Sequence, residues 1–335
     1  MGIAAALKEK GALDGLSGRI RLCAVPAEEL LEIEYRAQLK KEGKIKYFGG
    51  KSEFLSRGYF DGVDLAFMVH TARAFTVNEG SVGCITKNIV FKGKAAHAGG
   101  APQNGHNALY AASCGLNAIN ALRETFTESD MIRVHPIITQ GGYMVNAIPD
   151  TVRLESYVRG RTFDAIINAN AKVNRALSGA ALSLGTNVET IDVPGYAPLE
   201  NDRELIEVAR QAAALALPNV EFKINAHYSS GSTDMGDLSR IMPVVHPYAG
   251  GARGGAHGSD YEIYDPVAAC IDSAKWQLAM ISLLLGDGAC RARRIVQAYT
   301  PEFASKQEFL AYMDSLCSSG DRITYRDDGV AEVRL

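Results

Sequence analysis

The pattern of apolar and polar positions divides the chain into three stretches, and the first of them follows a strand–helix–strand order. An alternating strand is predicted at Arg19–Ala24 and an apolar strand at Val63–Val69, with a polar segment and a helix near Ser52–Arg57 between them. This order predicts two parallel strands joined by a right-handed crossover. Polar residues follow both strands, and open α/β sheets bind ligands at the carboxyl ends of such strands.

The middle stretch, from about Cys84 to Pro194, has longer elements of mixed type. In chain order the predicted elements are a strand at Asn88–Lys94, a helix with apolar Leu109, Ala112, Leu116 and Ile119, strands at Met131–Thr139 and Thr151–Arg159, a helix at Phe163–Leu184 capped by Thr162, and a strand at Thr186–Val193. The order βαββαβ is that of a ferredoxin-like unit.

The third stretch returns to helices and short strands. In chain order we predict a helix at Arg203–Leu217, strands at Val220–Ala226 and Met242–Val245, helices at Ala268–Leu285 and Lys306–Leu316, and a strand at Thr324–Val333. The predicted fold class is therefore α/β. A first domain with a mixed, largely parallel sheet and flanking helices (1–83 and 196–335) is interrupted by a ferredoxin-like lid (84–195).

Composition excludes several classes of protein. Lys+Arg 35 against Asp+Glu 38 gives a net charge of −3, which argues against a nucleic-acid binder. No uninterrupted apolar run approaches the roughly 20 residues of a membrane span, so no membrane association is predicted. The six cysteines are widely spaced without a C-x-x-C pair, which is typical of reduced thiols in a cytoplasmic protein.

Carboxylates and histidines follow the predicted strands of the first domain. Glu28 and Glu29 come after the first strand, His70 ends the second, and His257 lies in a glycine-rich loop. Glu29, His70 and His257 are an oxygen and nitrogen donor set suited to Zn²⁺ or Mn²⁺. Alternatively, Glu28 and Glu29 lie in a solvated loop without a ligand role, and His70 has a structural role. The wide spacing means that only the fold can bring the three together.

Three further residues lie in loops of small residues. His97 is flanked by alanines and glycines that leave room for a substrate, Asn146 stands between Gly141-Gly142 and Pro149, and Asp234 follows Ser232-Thr233. Each has a simpler alternative as a strand-end or turn residue. We interpret the remaining histidines as structural; they are His106, His135, His227 and His246.

Six short stretches occur in the order found in one enzyme family. They are Pro26–Glu29, Phe60–His70, Gly93–Ala98, Gly141–Asp150, Gly231–Asp234 and the His257 loop. The chain thereby resembles the aminoacylase-type metallopeptidases and amidohydrolases, in the branch of p-aminobenzoyl-glutamate hydrolases and N-acyl-amino-acid or indole-acetyl-amino-acid amidohydrolases. The resemblance covers roughly residues 1–290 and implies a catalytic α/β domain with a ferredoxin-like lid.

The resemblance also implies a reaction, two metal ions and a partner. It implies hydrolysis of the amide bond of an N-acyl or aryl-acyl amino acid or a dipeptide at two divalent ions, Zn²⁺ or Mn²⁺, in a homodimer joined through the lid. Glu28 is expected to be the general base for a metal-bridging water, and His97 to act on the scissile carbonyl. Metal-ligand roles follow for Glu29, His70 and His257, and substrate-binding roles for Asn146, Arg159, Ser232 and Asp234.

One departure from the family leaves alternatives open. Relatives in this branch carry an earlier strand with a Cys-Gly-His-type motif that supplies further metal ligands, and nothing before His70 matches it. One alternative is a truncated, inactive homologue that still binds a ligand or partner. Another is a split enzyme completed by a second chain.

Overall fold

The computed structural model describes residues 2–335. Its α-helices are α1 (Gly2–Ala6), α2 (Ile33–Lys41), α3 (Gly50–Ser56), α4 (Ala108–Ala121), α5 (Phe163–Ser183), α6 (Arg203–Ala216), α7 (Met235–Leu238), α8 (Ser273–Leu285), α9 (Cys290–Ala298) and α10 (Lys306–Ser315). Its strands are β1 (Ala66–Phe67), β2 (His70–Thr71), β3 (Phe75–Ser81), β4 (Gly83–Lys92), β5 (Arg133–Val134), β6 (Ile137–Gln140), β7 (Thr151–Gly160), β8 (Asn187–Tyr196), β9 (Leu199–Glu200), β10 (Phe222–Ser229), β11 (Val244–Val245), β12 (Tyr248–Ala249), β13 (Ala252–Arg253), β14 (Glu262–Ile263), β15 (Ser318–Asp321), β16 (Ile323–Tyr325) and β17 (Ala331–Val333).

The lid is an antiparallel sheet packed against α4 and α5. Its strand order is β15-β8-β4-β7-β5, with β6 also beside β7. Residues alternate between buried and half-buried along β7, as expected for a strand with one face on a core. Phe91, Leu154 and Leu177 are fully buried in that core. The predicted α/β class and βαββαβ order are confirmed, and Thr162 accepts a hydrogen bond from the Ala165 N–H as the predicted helix cap.

The first domain is built around two small sheets. One has the order β10-β3-β12-β2, and the other is the parallel pair β1 and β11. Helices α6 and α8 cover one side, where Trp276 is fully buried among their apolar residues. Strand β3 was not predicted, because its sequence Phe75–Ser81 contains Asn, Glu and Gly and lacks a regular alternation.

The prediction of a strand at Arg19–Ala24 is wrong. Residues 19–24 pair with no strand in residues 2–335, and Arg21–Ala24 are exposed. Alternation fixes which side chains share a face, but a strand also needs a neighbouring edge that accepts its backbone hydrogen bonds. Val63–Val69 pairs instead through Ala66 and Phe67 with β11.

A deep cleft lies between these two segments. Within residues 2–335, β1 pairs on one side with β11 alone. Its other side faces a cleft of about 1040 Å³, whose lining includes apolar Leu22, Phe67 and Leu284 and the charged residues Glu28 and Lys51. The cleft therefore connects an apolar interior with the predicted catalytic carboxylate.

The C-terminal segment ties the first domain to the lid. Strand β15 pairs antiparallel with β8 at the edge of the lid sheet, although it was predicted to belong to the first domain. The preceding helix α10 packs its Phe309 and Met313 into the core of the first domain. We keep the predicted division into two domains as a proposal, with β15 moved to the lid.

One helical segment meets a length and composition test for a membrane span. It comprises Val267–Leu285, formed by π-helical Val267–Asp272 and α8. Trp276, Met280 and Leu284 in this segment are buried in the first-domain core. These contacts are those of a core helix, and such a helix passes the same test.

Candidate active site

Glu28, in the lining of the cleft, is held by two hydroxyl groups. The Thr233 hydroxyl donates a hydrogen bond to Glu28 Oε1 at 3.0 Å, and the Tyr196 hydroxyl donates to the Glu28 carbonyl oxygen. The residue is half-buried and lines the cleft. Glu28 Oε2 accepts no hydrogen bond within the described residues, so one carboxylate oxygen remains available for a proton or a cation.

Two buried aspartates lie on the protein side of Glu28. Asp234 accepts from Lys51 Nζ at 2.5 Å and from the Lys51 N–H at 3.0 Å. Asp237 accepts from the Ala197 N–H at 2.8 Å and from the Ser52 hydroxyl. Burial raises the pKa of Asp234 to about 6 and that of Asp237 to about 7. Asp234 thus lies behind Glu28 and holds Lys51, and its predicted contact with substrate stays a prediction.

His70 lies at the start of β2 with one ring nitrogen committed. Its Nδ1 is 2.6 Å from the Thr71 carbonyl oxygen, which can only accept, so Nδ1 carries the proton. In a neutral imidazole the lone pair is then on Nε2, the arrangement of a metal-ligating histidine with a supporting carbonyl. The exposed ring therefore has the tautomer that its predicted ligand role needs.

His246 lies beside His70, although its sequence interpretation was structural. It directly follows β11, and its ring centre is 6.1 Å from that of His70 and 5.2 Å from that of Tyr248. Burial lowers the pKa of His246 to about 3, so the ring is neutral. The sequence did carry a signal for it: Val69-His70 and Val245-His246 are the same dipeptide, each at the end of a short apolar strand.

Glu29 and His257 form a second pair at the surface. Glu29 Oε1 lies 4.0 Å from His257 Nε2, and both side chains are exposed. Two ligands of one zinc ion, each about 2.0–2.2 Å from it, are at most about 4.4 Å apart, when they lie on opposite sides of the ion. The separation therefore allows both groups to bind one cation.

The possible metal ligands occur as pairs of side chains, each of which could bind a divalent cation. No group of three or more His, Cys, Asp or Glu side chains that could hold a metal ion occurs in residues 2–335. Glu29 and His257 are nevertheless within reach of one cation, His70 has a free Nε2, and buried His246 has two nitrogens without hydrogen-bond partners in the described residues. This chemistry suits Zn²⁺ or Mn²⁺.

The predicted substrate residues of the lid lie together in one loop pair. The Ala98 N–H, next to His97, donates to the Asn146 carbonyl at 2.9 Å. His97 Nδ1 accepts from the Gly99 and Gly100 N–H groups, so the neutral ring carries its proton on Nε2. Both side chains are exposed, and no hydrogen bond in residues 2–335 joins them to Glu28.

Arg159 of the lid contacts the first-domain segment that also carries Ser232. Arg159 projects from β7 of the lid, its guanidinium 5.2 Å from the Tyr157 ring, and Nη1 is 3.5 Å from the Ser230 carbonyl oxygen. The Ser232 hydroxyl is buried without a hydrogen-bond partner in the described residues. A cation and a free hydroxyl at this domain boundary are suited to an anionic or carbonyl group.

Comparison with known proteins supports the relationship predicted from the motifs. Residues 80–183 match the peptidase dimerisation domain family. The human Xaa-Arg dipeptidase is 28% identical over 258 residues, covering 74% of this chain and 54% of the relative. One p-aminobenzoyl-glutamate hydrolase subunit of Escherichia coli is 30% identical over 200 residues, covering 57% of this chain and 40% of the relative.

The architecture is also found in solved structures. The aminobenzoyl-glutamate utilization protein of Klebsiella pneumoniae superposes with a TM-score of 0.51 at 22% identity, over 69% of this chain and 57% of that one. The chain spans about half the length of the Xaa-Arg dipeptidase that it matches. The predicted resemblance is confirmed: residues 80–183 match the peptidase dimerisation domain, and the chain is similar to p-aminobenzoyl-glutamate hydrolase subunits.

Proposed function

We propose that the protein hydrolyses the amide bond of an N-acyl amino acid, an aryl-acyl amino acid or a dipeptide. The observation that carries the proposal is the Glu28 carboxylate, which lines the cleft and is fixed through Oε1 by Thr233 while Oε2 stays free. A carboxylate with one committed and one free oxygen is oriented for general base catalysis. The relatives named above are hydrolases, which agrees with this chemistry.

Glu28 moves the proton in the proposed reaction. Its free Oε2 accepts a proton from the attacking water and delivers it to the leaving amine nitrogen. Behind it, Lys51 and Asp234 form a buried ion pair that keeps this part of the site in place. Since Thr233 Oγ1 is fixed to Oε1, the carboxylate does not need to reorient during the transfer.

Glu29, His70 and His257 would hold the metal ions. When bound, divalent ions of the Zn²⁺ or Mn²⁺ type polarise the amide carbonyl and make water more acidic. Glu29 and His257 are close enough to share one ion, and His70 presents Nε2 because Thr71 holds Nδ1. Two ions per chain are proposed from the resemblance.

The lid and the domain boundary would bind the substrate. His97 has its proton on Nε2 and would donate it as a hydrogen bond to the scissile carbonyl oxygen. Arg159 would pair with the substrate carboxylate, with Ser232 and Asn146 as neutral partners beside it. A substrate with an acyl amide and a carboxylate matches this combination of groups.

The decisive experiment measures amide cleavage across a panel of N-acyl amino acids, p-aminobenzoyl-glutamate and dipeptides, with Mn²⁺ or Zn²⁺ and with a chelator. We expect turnover that the chelator abolishes and metal restores. Glu28→Gln should lower kcat by about 10²–10⁴-fold, whereas Glu221→Gln, a change at an exposed carboxylate, should leave it unaltered. Turnover that survives Glu28→Gln would exclude Glu28 as the base.

A second candidate function is ligand binding without hydrolysis. It is favoured by the finding that no three metal-ligating side chains gather in residues 2–335. Calorimetric titration with the same panel separates the two candidates. Binding without turnover at saturating metal supports the second, and any metal-dependent turnover removes it.

We also propose a homodimer through the lid. The outer edge of β8 is covered by β15, whereas β6 borders an exposed apolar surface with Ile137, Ile138, Tyr143 and Val145. An exposed strand edge with apolar neighbours is a site for pairing with another chain. Light scattering should give a dimer that Ile138→Glu dissociates, while Ile224→Glu, at an exposed position of the first domain, leaves it intact.

A cytoplasmic location is proposed from the thiols. All six cysteines lie within the described residues and are free. Free thiols persist in reducing compartments. Cell fractionation tests the proposal, and recovery outside the cytoplasm with oxidised cysteines would contradict it.

A further inference from the structure

His246 is a buried polar side chain whose hydrogen-bonding capacity is unused. It is 2% exposed, and neither Nδ1 nor Nε2 has a hydrogen-bond partner in residues 2–335. Its backbone N–H, by contrast, donates to Asn201 Oδ1 at 2.8 Å, so the main chain is fixed where it leaves β11. Leaving a buried polar group without a partner costs about 1–3 kcal/mol, which requires an explanation.

The surroundings of the ring point to an absent ligand. The nearest aromatic rings are those of His70 and Tyr248. These two residues are paired at the start of the parallel strands β2 and β12, directly after β1 and β11. A histidine with a purely packing role in an apolar core would normally satisfy at least one nitrogen with a backbone carbonyl or a hydroxyl.

The spacing between His70 and His246 fits a shared cation. Their ring centres are 6.1 Å apart with 30° between the planes. Zn–N bonds of about 2.0–2.1 Å place the centres of two imidazoles on one ion roughly 5–6 Å apart. His70 has its Nε2 free, since Nδ1 is bound to the Thr71 carbonyl.

We propose that His246 and His70 bind the same divalent cation. The inference rests on the metal dependence in the proposed function and adds a ligand that the family resemblance did not assign. It places one cation at the carboxyl ends of β11 and of the Val63–Val69 segment, and it gives the orphaned ring of His246 its missing partner. Asp234, Lys51 and Glu28 remain supporting or catalytic groups and do not enter this pair.

The test measures binding of Co²⁺ alone to the metal-free full chain, by visible absorption and by calorimetry. Wild type should bind Co²⁺ with ligand-field bands that indicate nitrogen ligands. His246→Leu and His70→Leu should each weaken the affinity by at least tenfold and change the bands. His227→Leu, which removes an exposed histidine of β10, should alter neither.

Thermal unfolding provides a readout that does not depend on activity. Without metal, His246→Leu should melt at or above the wild-type temperature, because an apolar side chain replaces an unsatisfied polar one. With Co²⁺, wild type should gain stability and the variant should gain far less. His246→Gln keeps a polar group of similar length, and it should likewise gain far less stability from Co²⁺ than wild type does. This second variant shows that the result does not come from a packing defect specific to leucine.

The outcomes separate this inference from the proposed function. If both His246 variants bind Co²⁺ with wild-type affinity and spectrum, while His70→Leu does not, His246 is a core residue and the inference is wrong although metal binding stands. If wild type itself binds no Co²⁺, the inference and the metal-dependent function fail together.

Discussion

The lid and the active-site half of the molecule each contain a buried lysine–aspartate pair, and the two pairs differ in what surrounds them. In the lid, Lys87 Nζ lies 2.5 Å from Asp192, with both side chains fully buried. Asn170 and Asn174 also donate to Asp192, at 2.8 and 3.0 Å. Burial disfavours the charge of Asp192, but Lys87 and the two amides together hold its pKa below the usual value.

Near the candidate active site, the Lys51–Asp234 pair has more carboxyl groups around it than cations. Lys51 lies 2.5 Å from Asp234, yet Glu28 and Asp237 add two further carboxyl groups nearby. Burial and the Glu28 carboxylate raise the pKa of Asp234 to about 6, although Lys51 opposes the change. The lid network is complete as folded, whereas the site carries excess acid groups. A cation would relieve that excess, which agrees with the metal dependence proposed here.

The largest expected effect comes from breaking the lid pair. Lys87→Met leaves Asp192 buried beside two amides, with Arg322 at 4.0 Å as its remaining cation. Loss of the direct ion pair should lower the free energy of unfolding by about 3–5 kcal/mol. Urea denaturation at pH 7 measures this. The double variant Lys87→Met/Asp192→Leu should recover most of the loss, because no unpaired charge remains. A single variant as stable as wild type would show that the lid pair contributes no net stability.

A smaller effect is expected at Asp237, whose contribution to stability depends on pH in the direction opposite to that of Asp192 in the lid. Its pKa in the folded protein is about 7 against the ordinary 3.8, so its contribution to stability is present below about pH 3.8 and is lost as pH rises through 7. Asp237→Asn removes this loss. At about 1.4 kcal/mol per pKa unit, the variant should therefore gain a few kcal/mol relative to wild type between pH 4 and pH 8.

Asp192→Asn is the matched control in the lid. Its folded pKa is lowered, so its contribution is present above the ordinary pKa of 3.8 and is lost only as pH falls below it. This variant should be less stable than wild type at pH 7, and the difference should shrink in acid. Two profiles of the same sign would contradict the contrast between the lid and the site.

The lid could be predicted from the sequence in more detail than the first domain. Its strands pair with their neighbours along most of their length, as in the ten-residue register between β4 and β7, so alternation and helix caps are sufficient signals. In the first domain β1 and β11 are two residues long, and pairing there depends on contacts distant in sequence. The alternation at Arg19–Ala24 consequently predicted a strand that has no partner in the described residues.

The site shows the same limit. Motif order predicted Glu28, Glu29, His70 and His257 as site residues, and the structure places Glu29 and His257 4.0 Å apart. The partners of Glu28 and His70 could not be deduced, since Thr233 and His246 come from segments more than 150 residues away in the chain. A histidine directly after a short apolar strand has no local feature that separates a ligand from a core residue. Its burial and unpaired nitrogens become visible only in the fold.

The smallest expected effect tests whether Asp237 changes charge in the folded protein. The Ser52 hydroxyl donates to Asp237, and hydrogen bonds to charged groups are worth about 1.5–3 kcal/mol against about 0.5–1.5 for neutral ones. Ser52→Ala should therefore cost about 1 kcal/mol more at pH 8, where Asp237 is ionised, than at pH 5, where it is protonated. Ser178→Ala is the matched lid variant, because that buried hydroxyl donates to the Asn174 carbonyl, which does not titrate. Its cost should be equal at the two pH values. An equal cost for Ser52→Ala would mean that Asp237 keeps one charge state over this range, and the contrast with Asp192 would then rest on Asp234 alone.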